Sequence, residues 1–363
     1  MLKVEYPDGS QGDIKYLYRD DARDVIMLHD SMDVMMDFYR LRPNDRSTFF
    51  VINFAWFVGK EEALAIAMNL NKLSSIKLDA LDRILFLSNS YVEEKIFNAY
   101  CHNVRNIVVN NCFALSESLF QLQDVPAIYD YAYTARPLEY KKHAFIPKIE
   151  NSILITNYSE KITVDPEYVD FKKLTPSKVV ADIDAYEVCD LLNRSCCGLI
   201  LSPIEGGCYA SAEYLLCGIP VVSTPSLGGR DEYYDEDNVT IVPLDAAAVA
   251  DAVQKYKRDM TAGVIDRSAI RENFLRRQEF FRRSLASAIA GMTGMENLPF
   301  YEYLLHSIQW DSKLWSSIIY WAKGLSDHPL ECRVLSEQTD LAPCSGGMVC
   351  DNQSPPLLGR FSR

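Results

Sequence analysis

The sequence predicts an α/β protein made of two doubly wound units in series, and three observations predict it. Short apolar runs of strand length alternate with amphipathic segments long enough to be helices, the pattern of parallel sheets covered on both faces. The alternation stops at a polar stretch ending in proline, 121–126, and then restarts. The length, 363 residues, suits about two domains.

In the first unit the apolar runs 25–29, 48–53, 83–88 and 106–110 read as strands, and 60–76 and 90–101 as helices between them. In the second, candidate strands fall at 127–133, 152–156, 178–182, 198–202, 220–223 and 239–243, with helical patterns among them. After Ala246 the character is helical, over 246–258 and 266–290. The second of these segments sets Arg271, Arg276, Arg277, Arg282 and Arg283 around Phe274, Leu275, Phe280 and Phe281. A basic amphipathic helix either lies on a membrane surface or, more commonly, packs against its own protein. Residues 297–324, with Trp310, Trp315 and Trp321, read as a terminal helical element, and from Ser326 the composition is that of an extended or disordered tail. The expected division is a shortened first domain over 1–121, a second over 122–265, helices over 266–325 and a tail over 326–363.

With 48% hydrophobic and 24% charged residues, the composition excludes collagen-like, coiled-coil and wholly disordered classes. Lys plus Arg is 37 against 50 for Asp plus Glu, a net charge of −13. Such a field repels a phosphate backbone and excludes general nucleic-acid binding, so any phosphate-bearing ligand must be held by a local cationic cluster. The N-terminal residues do not read as a signal peptide, and no run approaches the ~20 apolar residues of a membrane span. The expectation is a cytoplasmic protein, with peripheral membrane contact as the membrane alternative. The ten cysteines contain no CxxC pair and read as reduced thiols. Cys344 and Cys350, in the tail, are the one pair that invites a redox or metal reading.

Chemistry concentrates between Ser202 and Val222. A buried strand ends at Ser202, a loop holding Gly206 and Gly207 follows, a helix starts near Tyr209, and Gly218 stops it. In an open α/β sheet the ligand sits at such a strand-to-helix turn, and free N–H groups at a helix start form an anion site. Glu205 and Glu213 frame the turn. On a continuous helix they would be about 12 Å apart along the axis, too far for an acid/base pair at one bond but suited to a long ligand gripped at both ends. A nucleotide-sugar is such a ligand, because each carboxylate can accept two hydrogen bonds from a vicinal diol. Its diphosphate needs cations. Between Arg136 and Lys148 there are four (Arg136, Lys141, Lys142, Lys148) against Glu139 alone, a local charge of +3. They can neutralise a leaving diphosphate without a metal.

These motifs resemble the retaining glycosyltransferases of the GT-B fold, family 4 type, whose pattern is E-G-F-G-x3-x-E-A-x-A-C-G-x-P-V-V with an E-x7-E core. Glu205 and Glu213 have that spacing, and Cys217, Gly218, Pro220, Val221 and Val222 fall in register. Arg136 and Lys141 match the G-R-x4-K pair, Gly228, Gly229 and Glu232 match G-G-x-x-E, and 110–120 resembles the N-G-x-D-x-x-x-F boundary between domains. The match covers about 82–290. It implies two Rossmann-like domains facing a central cleft, with C-terminal helices. It further implies a metal-independent transfer, with retention, from a UDP- or GDP-sugar to a glycan, lipid-linked or small acceptor, without a bound cofactor. Glu205 would lie by the anomeric centre and Glu213 on the ribose. Gly206, Gly207 and Cys208 would contact sugar and phosphate. Arg136 and Lys141 would stabilise the diphosphate, with Lys142 as substitute. His29, closing its strand, is the match for a histidine near the transferred sugar, although a lone His after a strand also has a structural reading.

The pattern is departed from in three places. E-G-F-G is Glu205-Gly206-Gly207-Cys208 here, the Gly before Arg136 is Ala135, and the Gly-rich turn that opens the first domain has no clear counterpart. The tripeptides Asp182-Ile-Asp184 and Asp235-Glu-Asp237 read as helix-capping and loop residues rather than metal ligands. The alternative to an enzyme is a catalytically inactive GT-B-like partner or scaffold.

Overall fold

The computed structural model describes residues 3–5, 11–13, 16–29, 32–42, 44–158, 164–170, 178–295 and 333–335. The chain opens on two short strands, β1 (Lys3–Glu5) and β2 (Gln11–Asp13), which pair with each other. The first large sheet holds β3 (Tyr16–Arg19), β4 (Asp24–His29), β5 (Thr48–Asn53), β6 (Ile84–Ser88) and β7 (Arg105–Val108) in that spatial order. Only β3–β4 is antiparallel. Strands β5 and β6 are almost wholly buried, which is why their sequences are unbroken apolar runs rather than alternations. Helices α1 (Asp33–Leu41), α2 (Lys60–Ile76) and α3 (Tyr91–Tyr100) connect them.

The second sheet is wholly parallel: β8 (Tyr131–Thr134), β9 (Ser152–Thr156), β10 (Lys178–Ala181), β11 (Gly198–Ile200), β13 (Val221–Ser223) and β15 (Val239–Ile241). A two-stranded pair, β12 (Ile204–Glu205) with β14 (Leu227–Gly228), stands beside it. The sheet order is β10-β9-β8-β11-β13-β15. The chain thus winds outward from β8 in one direction, returns, and winds outward from β11 in the other. In doubly wound sheets the crevice for a ligand opens at this reversal, outside the carboxyl ends of the strands. The first sheet runs from β3 to β7 without a reversal, so among the described residues the switch point belongs to the second sheet.

Helices α4 (Ala185–Asn193), α5 (Tyr209–Leu216) and α6 (Ala246–Thr261) cover this sheet. Asp184 caps α4, its Oδ1 accepting from the Glu187 amide at 2.9 Å while the Glu187 carboxylate accepts from the Asp184 amide. Asp235 accepts from the amides of Asp237 and Asn238. Both D-x-D tripeptides are therefore in capping and turn roles.

The longest helix, α7 (Arg267–Thr293), joins the two units. Phe274 stacks on Tyr233 of the second, with centroids 4.5 Å apart, while Leu285, Ile289 and Met292 belong to a buried cluster shared with Leu85 and Leu87 of the first sheet. Two of its arginines turn inward onto the linker between the sheets. Arg282 donates to the carbonyls of Phe113 (2.9 Å) and Leu115 (3.1 Å) and pairs with the Glu117 carboxylate at 2.8 Å. Arg271 donates to the carbonyls of Glu117, Phe120 and Leu216. Of the five arginines that suggested a membrane-facing helix, Arg276, Arg277 and Arg283 are exposed, and the helix is a clamp on its own chain. Among the described residues no helix is long and apolar enough to cross a membrane. The expected helical segment over 297–325 lies outside the described residues, as does the expected tail over 326–363 except for β16 (Arg333–Leu335), a strand paired with β1.

Candidate active site

At the switch point the segment after β8 and the turn after β11 meet. Lys141, in the 3-10 turn Glu139–Lys141, donates its ammonium to Oε1 of Glu205 on β12. The hydroxyl of Ser202 donates to the same oxygen. Glu205 is 5% exposed, so this carboxylate is held by two donors in a nearly dry setting. Burial works to lower the Lys141 pKa, but the Glu205 carboxylate, joined by Tyr140 and Cys208, holds the ammonium above its ordinary value. The Lys141 ammonium also lies 4.9 Å from the centroid of the Tyr140 ring. Tyr140 packs edge-to-face at 5.4 Å on Trp56 of the first unit.

The cationic segment is braced from beneath. Tyr133 donates its hydroxyl to the carbonyl of Lys141. His143, 3% exposed, has its Nε2 at 2.8 Å from the Arg136 carbonyl oxygen. Burial, and then the nearby Lys141 charge, push its pKa down to about 4, while the bond to Arg136 acts the other way. His143 is therefore neutral at pH 7 and adds no charge to the cluster. Arg136, two residues beyond β8, is half-buried, and Lys142 takes a left-handed backbone, φ 59°.

Gly206 and Gly207 are placed against the first unit. A Cβ on Gly206 would overlap the carbonyl oxygen of Ala55, and one on Gly207 would lie 2.9 Å from both Asn110 Oδ1 and Asn111 Cβ. Backbone and side chains across the seam thus leave no room for a side chain at either position. Cys208, 8% exposed, precedes α5 with φ 55°. Burial pushes its thiol up to about 12, aided by Glu205 and opposed by Lys141 and Arg230. Glu213 is 3% exposed on α5; burial raises the pKa of Cys112, Tyr209 and Cys217 around it, and its charge adds to the rise. The two glutamates thus lie at opposite ends of one buried turn. For His29 the structure gives the backbone, paired in register with Asn53; its side chain lies outside the described residues.

Three participants had no clear signal in the sequence. Ser202 is one. Arg230, 1% exposed, donates to the carbonyls of Ser202 (3.0 Å) and Thr224 and to the Asp231 carboxylate at 3.1 Å. It ties together the ends of β11 and β13, from which the Glu205 turn hangs. Asn110, fully buried, donates to the carbonyls of Asn89 (3.0 Å) and Gly229 (2.7 Å) and so fastens the linker to both units. Only their places inside G-G-x-x-E and the boundary motif hinted at Arg230 and Asn110. Glu232 of that motif accepts from the Tyr91 amide at the start of α3, 3.4 Å away. Among the described residues no cluster of three or more His, Cys, Asp or Glu is placed to hold a metal ion.

No protein-family model and no curated protein sequence matches this chain. Solved structures do. HepE from Anabaena in complex with UDP aligns over 73% of this chain and 78% of its own, with a TM-score of 0.52 and 14% identity. The same protein in complex with UDP-glucose aligns over 73% and 78% with a TM-score of 0.51 and 13% identity. TarM aligns over 74% of this chain with a TM-score of 0.50 and 14% identity, this chain covering 54% of its length. At such identities the likeness is one of fold, and the fold is the GT-B arrangement of two Rossmann-like units with a C-terminal helix across them.

Proposed function

We propose that this chain is a glycosyltransferase that moves a sugar, with retention and without a metal, from a nucleoside-diphosphate-sugar to a glycan or lipid-linked or small acceptor. The observation that carries the proposal is the Lys141–Glu205 ion pair at the switch point. It joins a cation suited to a diphosphate with a carboxylate suited to a sugar, from segments 64 residues apart. The UDP and UDP-glucose held by HepE support the donor class. In this reading the bond from the anomeric carbon to the diphosphate breaks while the acceptor oxygen bonds on the same face. The acceptor proton passes to the leaving phosphate. Lys141, kept charged by Glu205, transfers its ammonium to that phosphate, joined by Arg136 with Lys142 as substitute. Glu205 is then free for the sugar, Glu213 serves the ribose, and Gly206, Gly207 and Cys208 line the turn. His29 is the candidate for a histidine near the transferred sugar.

Purified full-length chain is assayed for thermal shift and nucleotide release across UDP- and GDP-sugars. Glu205→Gln, Lys141→Met and Arg136→Ala each reduce turnover by about 100-fold or more, the scale of losing one charge-stabilising group; the first two also lower the melting temperature, because each breaks the buried Lys141–Glu205 pair, so turnover is compared well below melting. Near-normal turnover in the Glu205 and Lys141 variants refutes the assignment. The inactive-partner reading is favoured by one observation, the covering of Gly206 and Gly207 by the first unit. It predicts no nucleotide release and no thermal shift with any donor.

A further inference from the structure

Cys189 on α4 and Cys217 at the end of α5 place their sulfurs 3.9 Å apart. A disulfide needs about 2.05 Å, so closing the pair requires the two sulfurs to approach by roughly 2 Å. We propose that Cys189 and Cys217 form a peroxide-reactive dithiol that closes to a reversible disulfide at the foot of the Glu213 helix. The proposal does not depend on the catalytic reading.

The surroundings of Cys189 suit a thiolate. Its sulfur accepts from Asn193 Nδ2 at 3.5 Å and Gln123 Nε2 at 3.6 Å, and as a thiol it donates to the Gln121 carbonyl at 3.5 Å. The hydrogen bond from Cys217, with help from the Arg271 guanidinium on α7, draws its pKa down to about 7 although burial acts against this. The other described thiols go the opposite way. Burial pushes Cys101 and Cys196 up to about 11 and Cys208 up to about 12, and raises Cys112, Cys197 and Cys217 well above the ordinary range. Reactivity toward oxidants follows the thiolate. Cys189 is thus the described cysteine that reacts first, and Cys217, still protonated, stands in contact to resolve it.

Both side chains are buried, at 2% for Cys189 and 0% for Cys217, but Cys189 touches Gln121 and Gln123 of the linker. Gln121 and residues 126–128 of that stretch are exposed. A hydroperoxide is small enough to reach it through local opening there. The Cys189 thiolate attacks the peroxide, forming an S–O bond as the O–O bond breaks, and the departing oxygen takes a proton from solvent and leaves as water or alcohol. The Cys217 sulfur then attacks the sulfenic sulfur, the S–S bond forms, the S–O bond breaks, and water leaves with the Cys217 proton. The bond would tie α4 to the end of α5, where the Cys217 amide already donates to the Glu213 carbonyl at 3.1 Å.

The full chain is treated with hydrogen peroxide, its remaining thiols are alkylated, and peptides are mapped by mass spectrometry without reduction. The expected result is a linked Cys189–Cys217 peptide pair, two hydrogens lighter than the dithiol and released by a reducing dithiol. It should form roughly tenfold or more faster than any oxidation of Cys101, Cys112, Cys196, Cys197 or Cys208. Cys217→Ser should stop the reaction at a sulfenic or sulfinic Cys189, and Cys189→Ser should leave Cys217 a free thiol. The proposal is overturned if the folded wild type oxidises other described cysteines first, or if Cys189 over-oxidises while Cys217 remains alkylatable. Because the wild-type map alone decides this, a variant that fails to fold does not protect the idea.

Discussion

Glu93 gives the strongest prediction of stability. It lies on α3, fully buried, with its Oε2 accepting from the Asn89 amide at 2.7 Å. Burial pushes its pKa up to about 8 from an ordinary 4.5; the amides of Asn89 and Val58 act against this, and Glu232 across the seam adds to it. The folded protein therefore keeps a proton that the unfolded chain releases above pH 4.5. Stability on this account is full below pH 4.5 and falls as pH rises toward 8. Each pH unit in that window costs about 1.4 kcal/mol, which makes the loss about 3 kcal/mol at pH 7 and close to 5 kcal/mol above pH 8. Glu93→Gln keeps an oxygen to accept from Asn89 and replaces the borrowed proton with an amide. Urea unfolding at pH 5, 7 and 8.5 should show a gain that is small at pH 5, about 2–3 kcal/mol at pH 7 and larger at 8.5. A gain that is the same at all three would refute the reasoning, since only a titrating carboxyl makes it grow with pH.

The remaining predictions concern the seam, the clamp helix and the site floor. Gly206→Ala drives a methyl into the Ala55 carbonyl, backbone that cannot turn aside, and should cost about 1–3 kcal/mol; an unchanged melting temperature would show that the seam yields. Phe281, 1% exposed and edge-on to Tyr233 at 5.6 Å, should cost about 3–5 kcal/mol as Phe281→Ala. Because the cluster containing it runs through both sheets, calorimetry should show one transition moving down as a whole, and two resolved transitions would contradict a shared core. His143 has the opposite sign to Glu93. Its folded pKa of about 4 lies below the ordinary 6.5, so its contribution is full above pH 6.5 and is lost as pH falls toward 4, up to about 3 kcal/mol. His143→Gln should flatten that acid limb in urea midpoints measured from pH 7 to 4.5.

The parallel strands were legible because burial on both faces leaves no polar residue to break the run: 48–53 became β5 and 152–156 became β9 without a shift. Strand β3 was not legible. It is an antiparallel edge of Tyr-Leu-Tyr-Arg whose partner is fixed only by folding. Helix α1 starts after Met32 with no side-chain cap, so the signal that usually announces a helix was missing. At the site, charge and spacing marked Glu205 and Lys141, which the fold brings together, and marked Arg136 as well. Ser202 and Arg230 could not be read, because each acts on groups brought near by the fold: a carboxylate oxygen in one case, two strand-end carbonyls in the other.

The departure Glu205-Gly206-Gly207-Cys208 from E-G-F-G now has a physical reading. The pattern's Phe position is Gly207, and a side chain there would meet Asn110 and Asn111, the residues that fasten the linker to both units. The pattern's second Gly position is Cys208, which nonetheless keeps the left-handed backbone, φ 55°, that glycine adopts at low cost and other residues at about 1–2 kcal/mol. In this turn the residue without a side chain is thus 207, while 208 carries one on a left-handed backbone. The absence of a side chain at 207 lets Asn110 and Asn111 close onto the turn. Placing one at 208 puts a buried thiol beside Glu205, Lys141 and Arg230. Under the proposed function, the room lost at 207 and filled at 208 lies on the sugar side of the diphosphate. The departure should thus narrow the choice of donor sugar rather than of nucleotide. Comparing Cys208→Gly with wild type across donors that share UDP but differ in the sugar should show the variant accepting more of them at unchanged affinity for UDP. A variant with the same sugar preference and weaker UDP binding would place the thiol on the nucleotide side and reverse the argument.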